Sequence, residues 1–220
     1  DVVIAVMGLD AGLEGEEGDQ GNAYASGDKP DLELPGLQAE TLRTIYESGK
    51  TVILVLLSGS ALAVTWADEN IPAIISGGYP GAQGGKAIAE IIFGEKNPEG
   101  RLPVTFYRTS SELPEFTDYS MKDRTYRYMK NEALYPFGYG LSYTSFRFSS
   151  PKISADIIDG NTVTVSTEIE NTGTMAGCET VQVYIGSPGP EAPKYQLKGI
   201  KKVRLEPGET ARAEIVLGAE

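Results

Sequence analysis

Residues 51–60, T-V-I-L-V-L-L-S-G-S, decide the class of fold. From Thr51 to Leu57 the chain offers no polar face and is built from β-branched residues and leucine. That is the pattern of a strand covered on both sides, and Ser58-Gly59-Ser60 ends it. Upstream, Val2 to Leu9 has the same two-faced apolar character. Between them, Leu34-Pro35-Gly36-Leu37 opens a helix in which Leu37, Leu42, Ile45 and Tyr46 can share one face, and Gly49 stops it. Downstream, Pro72 to Ser76 reads as a third strand, and 82–93 as a helix with Ala87, Ile88, Ile91 and Ile92 inward. This alternation predicts an α/β domain: a mostly parallel sheet covered by helices, only part of a complete sandwich domain.

One acidic loop, residues 10–35, separates the first strand from the first helix: D-A-G-L-E-G-E-E-G-D-Q-G-N-A-Y-A-S-G-D-K-P-D-L-E-L-P. It leaves a strand end, and in open α/β sheets ligands sit beyond the carboxyl ends of the strands. Its length of about twenty-five residues far exceeds the usual 2 to 6, and such long loops tend to be functional or disordered. Glu14, Glu16, Glu17 and Asp19 crowd its first half. A solvated acidic loop would read the same way from composition alone.

Composition removes whole mechanisms. The 220 residues include no histidine, which excludes Ser-His-Asp and Cys-His nucleophilic schemes and His-ligated zinc within them. The single cysteine, Cys178, excludes an internal disulfide and sits in a strand-like segment, where a small core residue is the simplest reading. A formal charge of -12, with only the short run Lys201, Lys202 and Arg204 against it, argues against nucleic acid as a partner. No stretch reaches eighteen apolar residues, so no membrane span is expected. Acid/base chemistry in this chain would have to be led by carboxylates, supported by Tyr, Lys and Arg.

Gly77-Gly-Tyr-Pro-Gly-Ala-Gln-Gly-Gly85 invites a phosphate-loop reading, which fails. Pro80 stands where the loop needs glycine before Gly85-Lys86, and Ala87 replaces the magnesium-binding Ser or Thr. The glycines instead allow a close turn, with Tyr79 exposed at the strand end. Residues 107–135 are rich in Tyr, Pro and charge without a clean period. Their Arg124-Thr-Tyr-Arg-Tyr128 could line a sugar site or serve as linker packing. From Phe146 onward, Val-, Ile- and Thr-rich segments near 146–158, 162–169, 178–186, 197–205 and 210–217 alternate with turn signals, as in an immunoglobulin or fibronectin type III-like β-sandwich. Two domains follow, 1–145 and 146–220, and the abrupt start in a strand and the short sandwich suggest a piece of a longer protein.

Several motifs in order carry a resemblance: G-L-D with L-E-G-E-E and L-P-G-L-Q, then V-I-L-V-L-L-S-G-S-A-L-A-V-T-W-A, G-G-Y-P-G-A-Q-G-G, G-E-K-N-P-E-G-R-L-P-V-T-F-Y, and R-T-Y-R-Y before Y-P-F-G-Y-G-L-S-Y-T. The chain resembles glycoside hydrolase family 3, in particular its β-xylosidase branch, and residues from 169 onward resemble the family's fibronectin type III-like domain. The resemblance implies retaining hydrolysis of terminal non-reducing β-xylosyl or β-glucosyl residues. An aspartate nucleophile would come from an N-terminal (α/β)8 barrel outside these residues, and the acidic loop would supply the general acid/base. L-E-G-E-E-G-D matches the family pattern best at Glu16, with Glu14 and Glu17 as alternates, and Gly27-Asp28-Lys29 is a second possible counterpart of the family's Gly-Asp-Arg.

The resemblance further implies an oligosaccharide or β-glycoside substrate and a periplasmic or secreted location. It implies no cofactor or metal, since carboxyl groups and water suffice. Asp19, Tyr79 and Arg124 are candidate substrate contacts, and the fragment alone is expected to be inactive. The competing readings are a non-catalytic carbohydrate-binding module and a structural interaction module.

Overall fold

A computed structural model describes residues 1–10, 12–15, 29–154 and 162–218. The chain divides into two compact units. The first comprises Asp1–Ala89, Val104–Arg124 and Lys130–Pro136, and the second Glu90–Pro103, Thr125–Met129 and Phe137–Glu220.

In the first unit β1 (Val2–Gly8), β2 (Thr51–Leu57) and β3 (Ala73–Ser76) form a parallel sheet in sequence order. Val2 lies opposite Thr51 and Gly8 opposite Leu57, while Ile53 to Leu56 pair with Ala73 to Ser76. Parallel neighbours need a crossover, which α1 (Gln38–Glu47) supplies between β1 and β2 and α2 (Thr65–Asn70) between β2 and β3. β2 is buried as its composition requires, with Val52, Leu54, Val55 and Leu56 at most 2% exposed.

β1 departs from expectation. Val2, Ile4 and Val6 are exposed, because β1 is the edge strand of this sheet and one of its faces is left uncovered by the described residues. On α1 Leu42 is buried, but Leu37 precedes the helix and is exposed, and Tyr46 is turned outward enough to stack edge-on against Trp66 at 5.5 Å. On α3 (Gly84–Ile92) Ile88, Ile91 and Ile92 are half-buried as expected, whereas Ala87 is exposed, lying a quarter turn from Ile88. The helix also starts two residues later than its pattern suggests, because Gly81–Gln83 forms a 3-10 turn first.

In the second unit β6 (Val163–Asn171) is flanked by β4 (Phe146–Phe148), β5 (Lys152–Ile153) and β9 (Thr210–Leu217), all antiparallel. β7 (Gly177–Ile185) and β8 (Gln196–Leu205) form a second antiparallel pair. Val163, Ile169, Val181, Leu205, Ala213, Ile215 and Leu217 build one core from both sheets, as alternating inward residues should. Cys178 is half-buried within β7. The segment expected as one strand over 146–158 is two short strands, with its last residues outside the described ones.

Within the aromatic segment Tyr126 is packed, whereas Phe116 and Tyr119 are exposed. α4 (Thr125–Tyr128) sets Tyr126 in stacked contact with Phe137 at 4.6 Å, and Tyr184 and Tyr195 lie 5.9 and 5.7 Å away.

Candidate functional site at the carboxyl edge of the sheet

All three parallel strands end on one edge, so the segments that follow them are brought together there. Gly8 closes β1 with φ of 135°, and a Cβ at this position would lie 2.0 Å from the Leu57 carbonyl oxygen. Only glycine fits this approach. The Gln38 side chain completes the strand end, donating to the Gly8 carbonyl at 2.9 Å and accepting from its N–H at 2.8 Å.

Asp10 then turns the chain. Its Oδ1 accepts from the N–H groups of Gly12 and Leu13 at 2.8 and 3.1 Å, and its carbonyl accepts from Leu13 and Glu14 at 3.0 and 2.9 Å. This Asx turn delivers the Glu14 carboxylate across the other two strand ends. From the segment after β2, the Gly59 N–H donates to Oε2 at 3.0 Å and the Ser60 hydroxyl donates to Oε1. From the segment after β3, the Tyr79 hydroxyl donates to Oε2. Gly59 leaves room for this gathering: a Cβ there would stand 2.9 Å from the Tyr79 ring and 3.1 Å from Glu14 Oε2, so the ring would have to shift.

Electrostatics follow from these contacts. Burial alone would raise the Glu14 pKa, but donors from Ser60, Tyr79 and Gly59 outweigh it, and the carboxyl is held below its ordinary value. Burial, the bond to Glu14 and the Glu14 charge push the Tyr79 phenol up to about 12. Burial also lowers the Lys29 ammonium, partly offset by the charges of Asp31, Glu14 and Glu33, and its Nζ donates to the Glu33 carbonyl at 2.9 Å. The site therefore holds an ionised carboxylate beside a neutral phenol near neutral pH, an arrangement that orients the carboxylate by a fixed hydrogen bond.

Of the residues singled out from sequence, Glu14 and Tyr79 are brought together here. Glu16, Glu17 and Asp19 lie outside the described residues. Arg124 lies elsewhere in the first unit, where its guanidinium donates to the carbonyls of Ser120, Glu115 and Asp118 and so orders its own loop. Asp10, Gly59 and Ser60 were not singled out; the G-L-D and S-G-S strings contain them, but nothing in their spacing shows that they meet. Among the described residues no group of three or more His, Cys, Asp or Glu could hold a metal ion, and no helix is long and apolar enough to cross a membrane.

A carboxylate-bearing loop at the carboxyl edge of a parallel sheet, on a chain that continues into an antiparallel sandwich, defines an α/β domain with a ligand-type edge joined to a fibronectin-like module. Comparison with known families matches two stretches of the chain. Residues 1–143 match the glycosyl hydrolase family 3 C-terminal domain, and residues 179–220 match a fibronectin type III-like domain. The chain belongs to glycosyl hydrolase family 3.

It is 43% identical over 220 residues to a xylan 1,4-beta-xylosidase of Xylanibacter ruminicola, covering 99% of this chain and 25% of that protein. It is 35% identical over 225 residues to a periplasmic beta-glucosidase of Salmonella typhimurium, covering 95% of this chain and 28% of that one. The solved structure of a β-glucosidase from Erythrobacter marinus superposes with a TM-score of 0.86 at 40% identity, over all of this chain and 30% of that one. The chain thus spans between a quarter and a third of the length of these proteins.

Proposed function

We propose that this chain is the part of a retaining β-glycosidase that supplies the general acid/base, in a protein that removes terminal non-reducing β-xylosyl or β-glucosyl residues. One observation carries the reading: the acidic loop is rooted at the carboxyl edge of the sheet, where Glu14 is held by groups following the other two strands. Double displacement needs two carboxyl groups about 5 Å apart, one attacking the anomeric carbon and the other first protonating the leaving oxygen and then activating water. In this reading the attacking aspartate comes from an N-terminal (α/β)8 barrel.

Glu16 is the proposed acid/base. Glu14, held ionised by three donors, has no proton to give near neutral pH and is a weakened base, so it is the poorer acid/base of the two. Neighbouring carboxylates in one loop repel one another, which raises the pKa of at least one of them, and a group kept protonated near neutral pH is what the acid step requires. Glu17 is the remaining alternate, and Asp19 and the half-exposed ring of Tyr79 are the proposed substrate contacts. The 43% identical relative is named a xylosidase, which favours β-xylosides over β-glucosides. A relative named as periplasmic supports a periplasmic or secreted location. The domain division at 145/146 is part of the same proposal.

The test is hydrolysis of aryl β-xyloside and β-glucoside by this chain alone, then with a barrel domain from a family relative added. Turnover only after addition supports the reading. Association without turnover favours a non-catalytic carbohydrate-binding or structural module.

A further inference from the structure

The Glu14 carboxylate has donors from both neighbouring strand ends although it lies 46 residues from Ser60 and 65 from Tyr79. A solvated acidic loop has no need of such partners. Three charge-assisted bonds on one carboxylate, with a glycine at 59 that admits the ring of Tyr79, make a built site for that side chain. The turn from Asp10 to Glu14 is closed by its own bonds, so the position of the carboxylate fixes the position of the whole turn.

We propose that Tyr79, together with Ser60 and the Gly59 amide, is a positioning latch for Glu14 that pins the root of the acidic loop to the carboxyl edge of the sheet. The inference rests on the reading of that loop as the carrier of the acid/base. In this role the Tyr79 hydroxyl touches no reacting atom and acts through Glu14, separately from the proposed contact of its ring with substrate. Among the described residues, the charged and titratable groups that face the latch are Asp10 on the turn and Lys29 at the far end of the loop, with Asp31 and Glu33 acting on Lys29. Asp10 acts on the phenol, and Lys29 feels the Glu14 charge while donating to the Glu33 carbonyl, so neither substitutes for the Tyr79–Glu14 bond.

A latch of this kind couples two titrations, which a purely packing role for Tyr79 would not. The experiment is carbon-detected NMR titration of the intact chain, labelled at the Glu carboxyl and the Tyr ring, for the wild type and for Tyr79→Phe, Ser60→Ala and Glu14→Gln. In the wild type the Glu14 carboxyl titrates below the ordinary glutamate value and the Gly59 amide shifts with the same midpoint. Tyr79→Phe and Ser60→Ala each move that midpoint upward, and Glu14→Gln brings the Tyr79 phenol down from about 12 toward 10.0. Midpoints that stay put in both Tyr79→Phe and Ser60→Ala, with the variants folded by their amide spectra, overturn the latch. Failure of the barrel-addition assay would sink the proposed function without altering these titrations, so the two outcomes are separable.

Discussion

A Cβ built on Gly59 would stand 2.9 Å from the ring of Tyr79, closer than side chains approach in folded proteins. The absence of a side chain at 59 is therefore what lets the segments after β2 and β3 share the Glu14 carboxylate. Gly59→Ala is expected to push the Tyr79 ring aside at a cost of about 1 kcal/mol, since the ring is half-exposed and can move. Urea unfolding measures that cost, and the Glu14 midpoint should rise as it does in Tyr79→Phe.

Gly8→Ala should be far more damaging. The Cβ would meet the Leu57 backbone oxygen at 2.0 Å, and φ of 135° is strained for any L side chain. Backbone cannot step aside as a ring can, so a loss of about 3 kcal/mol is expected. Denaturant melts of the two glycine variants should rank Gly8→Ala well below Gly59→Ala.

The latch also gives the stability of the first unit a two-sided pH dependence. Glu14 has a folded pKa below its ordinary 4.5, so its contribution is present above about that pH and is lost as pH falls through the lower folded value. Tyr79 has a folded pKa raised from 10.0 to about 12, so its contribution is present below pH 10.0 and is lost as pH rises through 12. Thermal melts across this range should show Tyr79→Phe flattening the alkaline limb and weakening the acid limb, while Glu14→Gln flattens both.

In the second unit Asn171 is fully buried with every polar atom engaged. Its Oδ1 accepts from Thr144 Oγ1 at 2.6 Å and Gly173 N–H at 3.1 Å, and its Nδ2 donates to the carbonyls of Met175 and Leu205 at 2.9 and 3.0 Å. Asn171→Leu strands these partners and is expected to cost roughly 3 kcal/mol in a urea melt. Arg101 and Glu179 form a largely buried pair at 3.0 Å, and Arg101→Ala should cost a similar 3 kcal/mol because Glu179 is left charged without its partner.

The architecture was legible because apolar runs without a polar face, such as Thr51–Leu57, have few homes outside a covered parallel sheet. Helix phase was less legible: Leu37 and Ala87 fit an apolar face on paper, yet a start one residue later or a quarter-turn offset leaves them in solvent. β1 misled for a related reason, since its uniform apolar character does not say which face its neighbours cover. At the site, the acidic loop announced itself by charge and length, but the contacts of Glu14 with Ser60 and Tyr79 are set by where parallel strands end. Sequence spacing carries no signal of that.

The most direct measurement of the central claim is the rate of hydrolysis of activated and unactivated β-xylosides by the barrel-supplemented chain and its Glu16→Ala variant. The variant is expected to keep most of its kcat/KM on activated aryl xylosides, whose leaving groups need no proton in the first step, and to lose at least about a hundredfold in kcat/KM on unactivated ones. Equal loss on both substrates, or no loss on either, would contradict Glu16 as the acid/base.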